Sequence, residues 1–403
     1  MQDGSTVVFR AVGDICPGDK EILGLGVCSA TRKRGVSFPL SAVAPALAGA
    51  DILVGNLEGI LSRRMDSLAR PDITFCGESA FAAELRRLGF AGVTVANNHV
   101  LEHGEVCFGE TVTLLREAGL EVFGLRDRTG EFHCKPVVLE VRGGRVGILS
   151  YNWVSVERFP AADNLIAQVR DGAVNYTWNR DPARDRSRRQ NIANCNVAVC
   201  ADIRRLRPSV DHVVVIPHWG FEFVHVPPYG CTLEGRAFLQ AGADLVVGVH
   251  PHAVQGYERH GRGSVFYSLG NFLFDQRERA SRIGAVLTFA LGGNRHGEFR
   301  LDFTTQSTSC QVAEAGPRDV AHMTRVVESS SAAITSSDSE RTLDDDTVYA
   351  AFERQYRLKK LRAIATHLWL SLRHPFVARV VVRKVRGLGE LVVRRLHGEK
   401  TRW

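Results

Sequence analysis

The stretch DHVVVIPHWG, residues 211–220, places four β-branched residues and a proline ahead of a histidine, a tryptophan and a glycine. So short and apolar a run reads as a strand buried on both faces. Its ending is less ordinary, because turn residues would close a strand more simply than His218-Trp219-Gly220. A histidine on an apolar element is more often a satisfied structural residue than a ligand. The reading therefore depends on whether other strands end the same way.

Working outward, similar runs occur at 6–14 (TVVFRAVGD), 51–58 (DILVGNLE), 91–99 (AGVTVANNH), 145–152 (RVGILSYN), 244–252 (DLVVGVHPH) and 264–272 (SVFYSLGNF). Between them SAVAPALAGA, SAFAAELRRLG, GEVCFGETVTLLREAG and CTLEGRAFLQAGA have helical spacing, and Gly89, Gly119 and Gly242 suit helix C-termini. This alternation predicts an α/β domain with largely parallel strands and right-handed crossovers. It is placed at residues 5–315, followed by a flexible linker over 316–348 and a basic amphipathic helical tail over 349–403. The linker expectation rests on the Ser- and Asp-rich stretch 328–346. Residues 158–190 are polar and Arg-rich and read as a long loop.

The composition, 44% hydrophobic and 24% charged, is that of an ordinary globular protein. The net charge of +7 is unevenly placed: 349–403 carries +11, which leaves −4 for 1–348. Any claim about a polyanion is thus a claim about the tail, and no nucleic-acid partner is expected for the body. The nine cysteines are odd in number and include no C-x-x-C pair, which argues against a disulfide framework or a zinc ribbon. The start MQDGSTVVFRAVGD does not read as a signal peptide, and no run reaches the ~18 apolar residues of a membrane span. A cytoplasmic location is expected, with membrane association through residues 349–403 as the variant, since a basic helix containing Trp369 could lie on anionic lipid.

The strand ends supply the answer to the opening question. Asp14, Glu58, Asn98 with His99, His218, His250 with His252, and Asn271 all stand where an apolar run stops. In parallel α/β sheets ligands bind outside the carboxyl ends of the strands. Carboxylates, an amide and imidazoles together suit one or two divalent ions of the Mn, Fe or Zn kind. A shared carboxylate such as Glu58 could hold two ions ~4 Å apart. Gly13 and Gly248 beside these residues would let backbone pass close to a crowded centre.

The motifs GDI (13–15), NLEG (56–59), ANNHVLEHG (96–104), HWGFE (218–222), GADLVVGVHPHAVQG (242–256) and YSLGNFLFD (267–275) resemble, in order, those of the bacterial CapA capsule-synthesis proteins. That family, which includes PgsA-type proteins of poly-γ-glutamate production, belongs to the calcineurin-like metallophosphoesterase superfamily. The resemblance implies a four-layer αββα sandwich with a two-metal centre. It implies Asp14 and His252 as ligands of one ion, His218 and His250 of the other, Glu58 between them and Asn98 as the amide ligand. His99 resembles the histidine that serves the leaving group without ligating. Glu222, Asn271 and Asp275 are weak candidates for lining the substrate cleft, with cap or turn roles as the equal alternative. The implied substrate is an anionic polymer or a phosphorylated small molecule, with polymer-synthesis partners or a membrane meeting the tail.

Two readings follow. The first is a metal-dependent hydrolase acting in capsule or poly-γ-glutamate-type polymer synthesis or processing. The second is a non-catalytic accessory protein of a polymer-synthesis complex. The superfamily's D-x-H opening is Asp14-Ile15-Cys16 here, which favours the second. The intact Asn98-His99 pair and the three distal histidines favour the first.

Overall fold

Along each apolar run alternate side chains enter different cores, and this period of two sets the layering. A computed structural model of the 403-residue chain describes residues 6–19, 25–63, 75–154, 162–169, 197–276 and 278–371. The strands are β1 (Val7–Ile15), β2 (Ile52–Leu57), β3 (Ile60–Ser62), β4 (Cys76–Glu78), β5 (Gly92–Thr94), β6 (Glu121–Phe123), β7 (Val137–Val141) and β8 (Gly144–Asn152). They continue with β9 (His212–His218), β10 (Leu245–Val247), β11 (Tyr257–His260), β12 (Gly263–Phe266), β13 (Asn271–Leu273), β14 (Ile283–Leu291), β15 (Phe299–Gln306) and β16 (Val312–Glu314).

One sheet runs β16-β15-β14-β1-β2-β5-β6, with β13 also paired to β1. The second runs β11-β12-β10-β9-β8-β7. In the first, β1, β2, β5 and β6 are parallel. In the second, β8, β9, β10 and β12 are parallel. Phe9, Val54, Ile148, Val214, Leu245, Phe266 and Leu287 fill the core between the sheets. Their strand neighbours turn the other way. Val12, Leu53 and Leu57 meet the helices Val27–Arg34, Phe81–Arg87 and Gly104–Glu117, while Leu149, Val213, Val215 and Val246 meet Val197–Leu206 and Tyr229–Ala241. The fold is the expected four-layer αββα sandwich, and the Val-rich runs are apolar throughout because both faces are covered.

Two expectations are corrected. Residues 264–272 do not make one strand: β12 ends at Phe266 in the second sheet, and β13 begins at Asn271 in the first. The chain turns through Gly270 at φ +67° to cross between the sheets. Nor is 316–348 a flexible linker. Pro317–Thr335 is a helix, followed by Ser339–Thr342, and Asp345–Ser371 begins before the expected tail. Met323, Val327, Ser330 and Ile334 are buried along one face of the first of these helices. The serines that suggested a linker cap an edge strand: Ser330 Oγ accepts from Gly256 N (2.9 Å) and Ser331 Oγ from Tyr257 N (2.9 Å).

The tail likewise starts docked on the body, with Val348 and Phe352 in the second sheet's outer core. Most of the expected loop 158–190, and residues 372–403 of the tail, lie outside the described residues. Among the described residues no helix is long and apolar enough to cross a membrane.

Candidate metal centre

Parallel pairing brings the strand ends together. Asp14 is in register with Asn56 of β2 and with Asn271 of β13. His218 ends β9 opposite Asn152 of β8 and bridges to Val249, just before His250. The two sheets thus present Asp14, Glu58, His218, His250 and His252 at one edge, each at most 3% exposed.

Close backbone approach makes the convergence possible. A Cβ on Gly13 would lie 1.8 Å from Gly270 O, and one on Gly248 would lie 2.0 Å from Tyr267 O. Any side chain at either position would push the crossing segment 267–270 off the sheet edge. The segment HWGFE divides its side chains by the same alternation. His218 enters the centre, whereas Trp219 turns outward, stacks on Tyr267 (5.9 Å between centroids) and donates from Nε1 to Tyr267 O (3.0 Å).

Two sets of donor atoms each lie within 4.8 Å of one another: Asp14, Glu58 and His218, and Glu58, His250 and His252. Glu58 belongs to both. The pairs implied by resemblance are in contact as well, since His252 Nδ1 lies 3.3 Å from Asp14 Oδ2, and hydrogen bonding sets the rest of the arrangement. Asn271 commits Nδ2 to Gln276 Oε1 (3.1 Å) and Ser281 O (2.7 Å), so its Oδ1 accepts from His252 Nδ1 (2.8 Å). His252 Nε2 then turns to Glu58 Oε1, 3.6 Å away. His250 and His252 flank Pro251 with φ of +98° and +54°, sparsely populated for residues with a Cβ. In that conformation His250 N–H points at both Asp14 oxygens (3.2 and 3.3 Å), and its ring packs 4.6 Å from that of His218.

Electrostatics suits cation ligation. Burial pushes the Asp14 carboxyl up to about 6, against the lowering effects of the Asn56 bond and of His250. Burial, with His250, His252 and His99 nearby, holds His218 well below the usual imidazole range, so it stays neutral as a ligand must. Bonds of ~2.1 Å hold the ligands of one ion roughly 3–4 Å apart, and the two triads are only slightly more open. Two carboxylates, three imidazoles and the Asn98 amide oxygen form a hard-to-borderline donor set that fits a divalent ion.

The remaining expected residues divide. Asn98 Oδ1 accepts from His218 Nε2 (3.0 Å), which brings the amide to the centre. His99 stands at its margin: the ring stacks on Phe75 (3.8 Å between centroids), Nδ1 contacts Glu102 Oε1 (2.9 Å) and Nε2 lies 3.8 Å from Glu58 Oε1. Glu222 Oε1 is 4.0 Å from His252 Nε2. Asn271 is buried and its Oδ1 accepts from His252 Nδ1, which orients that ring. Cys16 is fully buried against Phe75 and Phe274 and belongs to neither triad.

Asn56 and Asn97 were not anticipated. Asn56 Nδ2 donates to Asp14 Oδ1 (2.8 Å) and lies 3.3 Å from His218 Nδ1. Asn97 Nδ2 donates to Asn56 Oδ1 (3.0 Å), while its own Oδ1 accepts from His99 N (3.1 Å). The available signal was an asparagine two residues before Glu58, hence on the same strand face.

Known proteins share much of this chain. A family model described as "Bacterial capsule synthesis protein PGA_cap" matches residues 8–276. The chain is 25% identical over 297 residues to "Capsule biosynthesis protein CapA" of Bacillus anthracis, covering 73% of this chain and 66% of that protein. It is 26% identical over 310 residues to "PGA biosynthesis protein CapA" of Bacillus subtilis (strain 168), covering 77% and 72%. The chain thus spans just under two thirds of the length of the first relative. Among solved structures it is similar to a hypothetical protein from Thermus thermophilus (15% identity, TM-score 0.41, 75% of this chain and 100% of that one). A phosphatase from Mycoplasma pneumoniae is also similar (12% identity, TM-score 0.40, 80% and 99%).

Proposed function

The chain belongs to the bacterial capsule synthesis protein PGA_cap family, and from that premise we propose that it is a metal-dependent hydrolase of a phosphoester or similar bond in anionic-polymer synthesis or processing. The observation that carries this reading is the pair of buried triads sharing Glu58, with His99 beside them. Asp14, Glu58, Asn98, His218, His250 and His252 would hold one or two divalent ions. An ion bound there supplies Lewis-acid polarisation of the scissile group and activation of water.

The chain's own residues do the rest. Asn56 and Asn271 fix the carboxylate and imidazole orientations, and hydrogen-bonded partners of this kind typically govern metal affinity. His99, held by Glu102 and stacked on Phe75 with Nε2 3.8 Å from Glu58 Oε1, would give a proton to the leaving oxygen.

A second reading, an accessory protein without catalysis, is favoured by Cys16, a buried thiol where the superfamily carries a histidine. The two separate by experiment. The purified protein is assayed for metal and then for turnover of p-nitrophenyl phosphate and a γ-glutamyl amide with Mn, Fe or Zn added. Bound metal with turnover of either substrate supports the hydrolase. Bound metal without turnover of any substrate supports the accessory protein. A protein that takes up no stoichiometric metal after loading would overturn the metal centre itself.

A further inference from the structure

The family match ends at residue 276, yet the surroundings of the centre extend beyond it. The helix Asp345–Ser371 packs beside the segment that follows His218. Tyr349 and Phe352 pack on Phe221 (5.4 and 5.7 Å between centroids), and Phe352 in turn stacks on Tyr356 (5.6 Å). Phe221 is the neighbour of Glu222, whose Oε1 lies 4.0 Å from His252 Nε2. Further along, Arg362 Nη1 lies 3.8 Å from Glu278 Oε1, two residues beyond the Gln276 that holds Asn271. Positions 349, 352, 356, 359 and 362 recur every three or four residues, so they share one face of the helix. Lys359 lies on that face between Tyr356 and Arg362.

Its Nζ sits 3.8 Å from the centroid of the Phe223 ring. That same ring stacks on His252 at 6.0 Å. Phe223 is held there by its own N–H, donated to Pro251 O (2.7 Å), at a φ of +63°. An ammonium is thus carried one aromatic ring away from a candidate ligand. The surroundings it enters are acidic: Asp14, Glu58, Glu102 and Glu222 all face the centre. An anionic substrate approaching such an edge needs a cation beyond those that the centre itself would hold.

We propose that Lys359 is a substrate-binding residue of this centre, supplied by the C-terminal helix, and that its ammonium takes an oxyanion of the substrate, phosphate or carboxylate, away from the reacting bond. This deepens the hydrolase reading and rests on it for the reaction, though not for the binding. A lysine rather than an arginine here gives a compact point charge able to follow either oxyanion.

The test uses the full chain loaded with Mn and compares wild type with Lys359→Ala, Lys359→Glu and Lys359→Arg. Metal content and melting temperature are checked first. Inorganic phosphate and glutarate are then titrated calorimetrically, and p-nitrophenyl phosphate and a γ-glutamyl amide are assayed for turnover. The expected result is a roughly tenfold weaker affinity for whichever oxyanion binds in Lys359→Ala, a larger loss in Lys359→Glu and recovery in Lys359→Arg. Where there is turnover, KM carries the change, and higher salt narrows the difference between variants. Wild type that binds an oxyanion in a Lys359-dependent way but turns nothing over would sink the hydrolase reading and keep this one. Equal affinity and KM in wild type and Lys359→Ala would overturn the proposal and leave the hydrolase reading standing. A wild-type protein that binds neither oxyanion would overturn it as well.

Discussion

Asn271 illustrates how much one uncharged side chain decides. Its amide nitrogen is fully committed, so its oxygen has a single use, and that use fixes which His252 nitrogen faces Glu58. Replacing Asn271 by Ala should lower metal affinity roughly 10- to 100-fold while leaving the other donors in place, as read by competition with a fluorescent chelator. Asn271→Ala with unchanged affinity would show that His252 needs no such orientation. His218→Ala and His250→Ala should each lose stoichiometric metal, whereas His99→Ala should keep it and lose turnover; metal analysis beside an assay reads both. The candidate donors stood out in the sequence because acids, amides and imidazoles at the ends of apolar runs are conspicuous. Asn271 was noticed for the same reason, but its bond to His252 was not foreseen. Its role depends on the crossing at Gly270, and no local pattern announces that a chain will leave one sheet for the other. Asn56 and Asn97 were missed because they act on ligands and resemble ordinary polar residues at strand ends.

The elements show the same division between local and non-local information. Strands such as β2, β9 and β10 came through because burial on both faces leaves short apolar runs with no polar alternation, whereas the equally apolar β14 was not read as a strand. The helix Pro317–Thr335 did not, because its buried stripe is thin and includes Ser330. A serine stripe signals solvent by composition, yet here two hydroxyls complete the edge strand β11. Limited proteolysis should therefore spare 317–335, contrary to the expectation from composition, and early cleavage within it would contradict the packed helix. The contact of the next helix with the body is aromatic and nearly buried. Phe352→Ala should destabilise the chain by about 3 kcal/mol, measured by urea unfolding, as large-to-small changes at such sites do. A cost near zero would mean that the helix is loosely held, and the place assigned to Lys359 would lose its support.

For the molecule as a whole, stability is linked to pH through histidines that the fold keeps neutral. His225 is one such group away from the donors: burial lowers its pKa, against the hydrogen bond to Val254 O. The unfolded chain binds that proton at the ordinary value of 6.5, so stability contributed by neutral His225 is present above that pH and lost as pH falls below it. Metal-free wild type should melt lower as pH drops through about 6, and His225→Gln should flatten part of that slope; an identical slope in the variant would assign the effect elsewhere. The crossing through Gly270 has a consequence in time as well as in space. Residues 14, 58, 218, 250 and 252 meet only when two sheets built from distant parts of the chain have stacked, and the segment joining those sheets lies against Gly13 and Gly248. Contacts of such long sequence separation form late and slowly. Added metal should accordingly leave the refolding rate nearly unchanged and slow unfolding instead, since interactions missing from the transition state express themselves on the way out. The centre would then act as a latch, closed by the last step of folding and opened by the first step of its reversal.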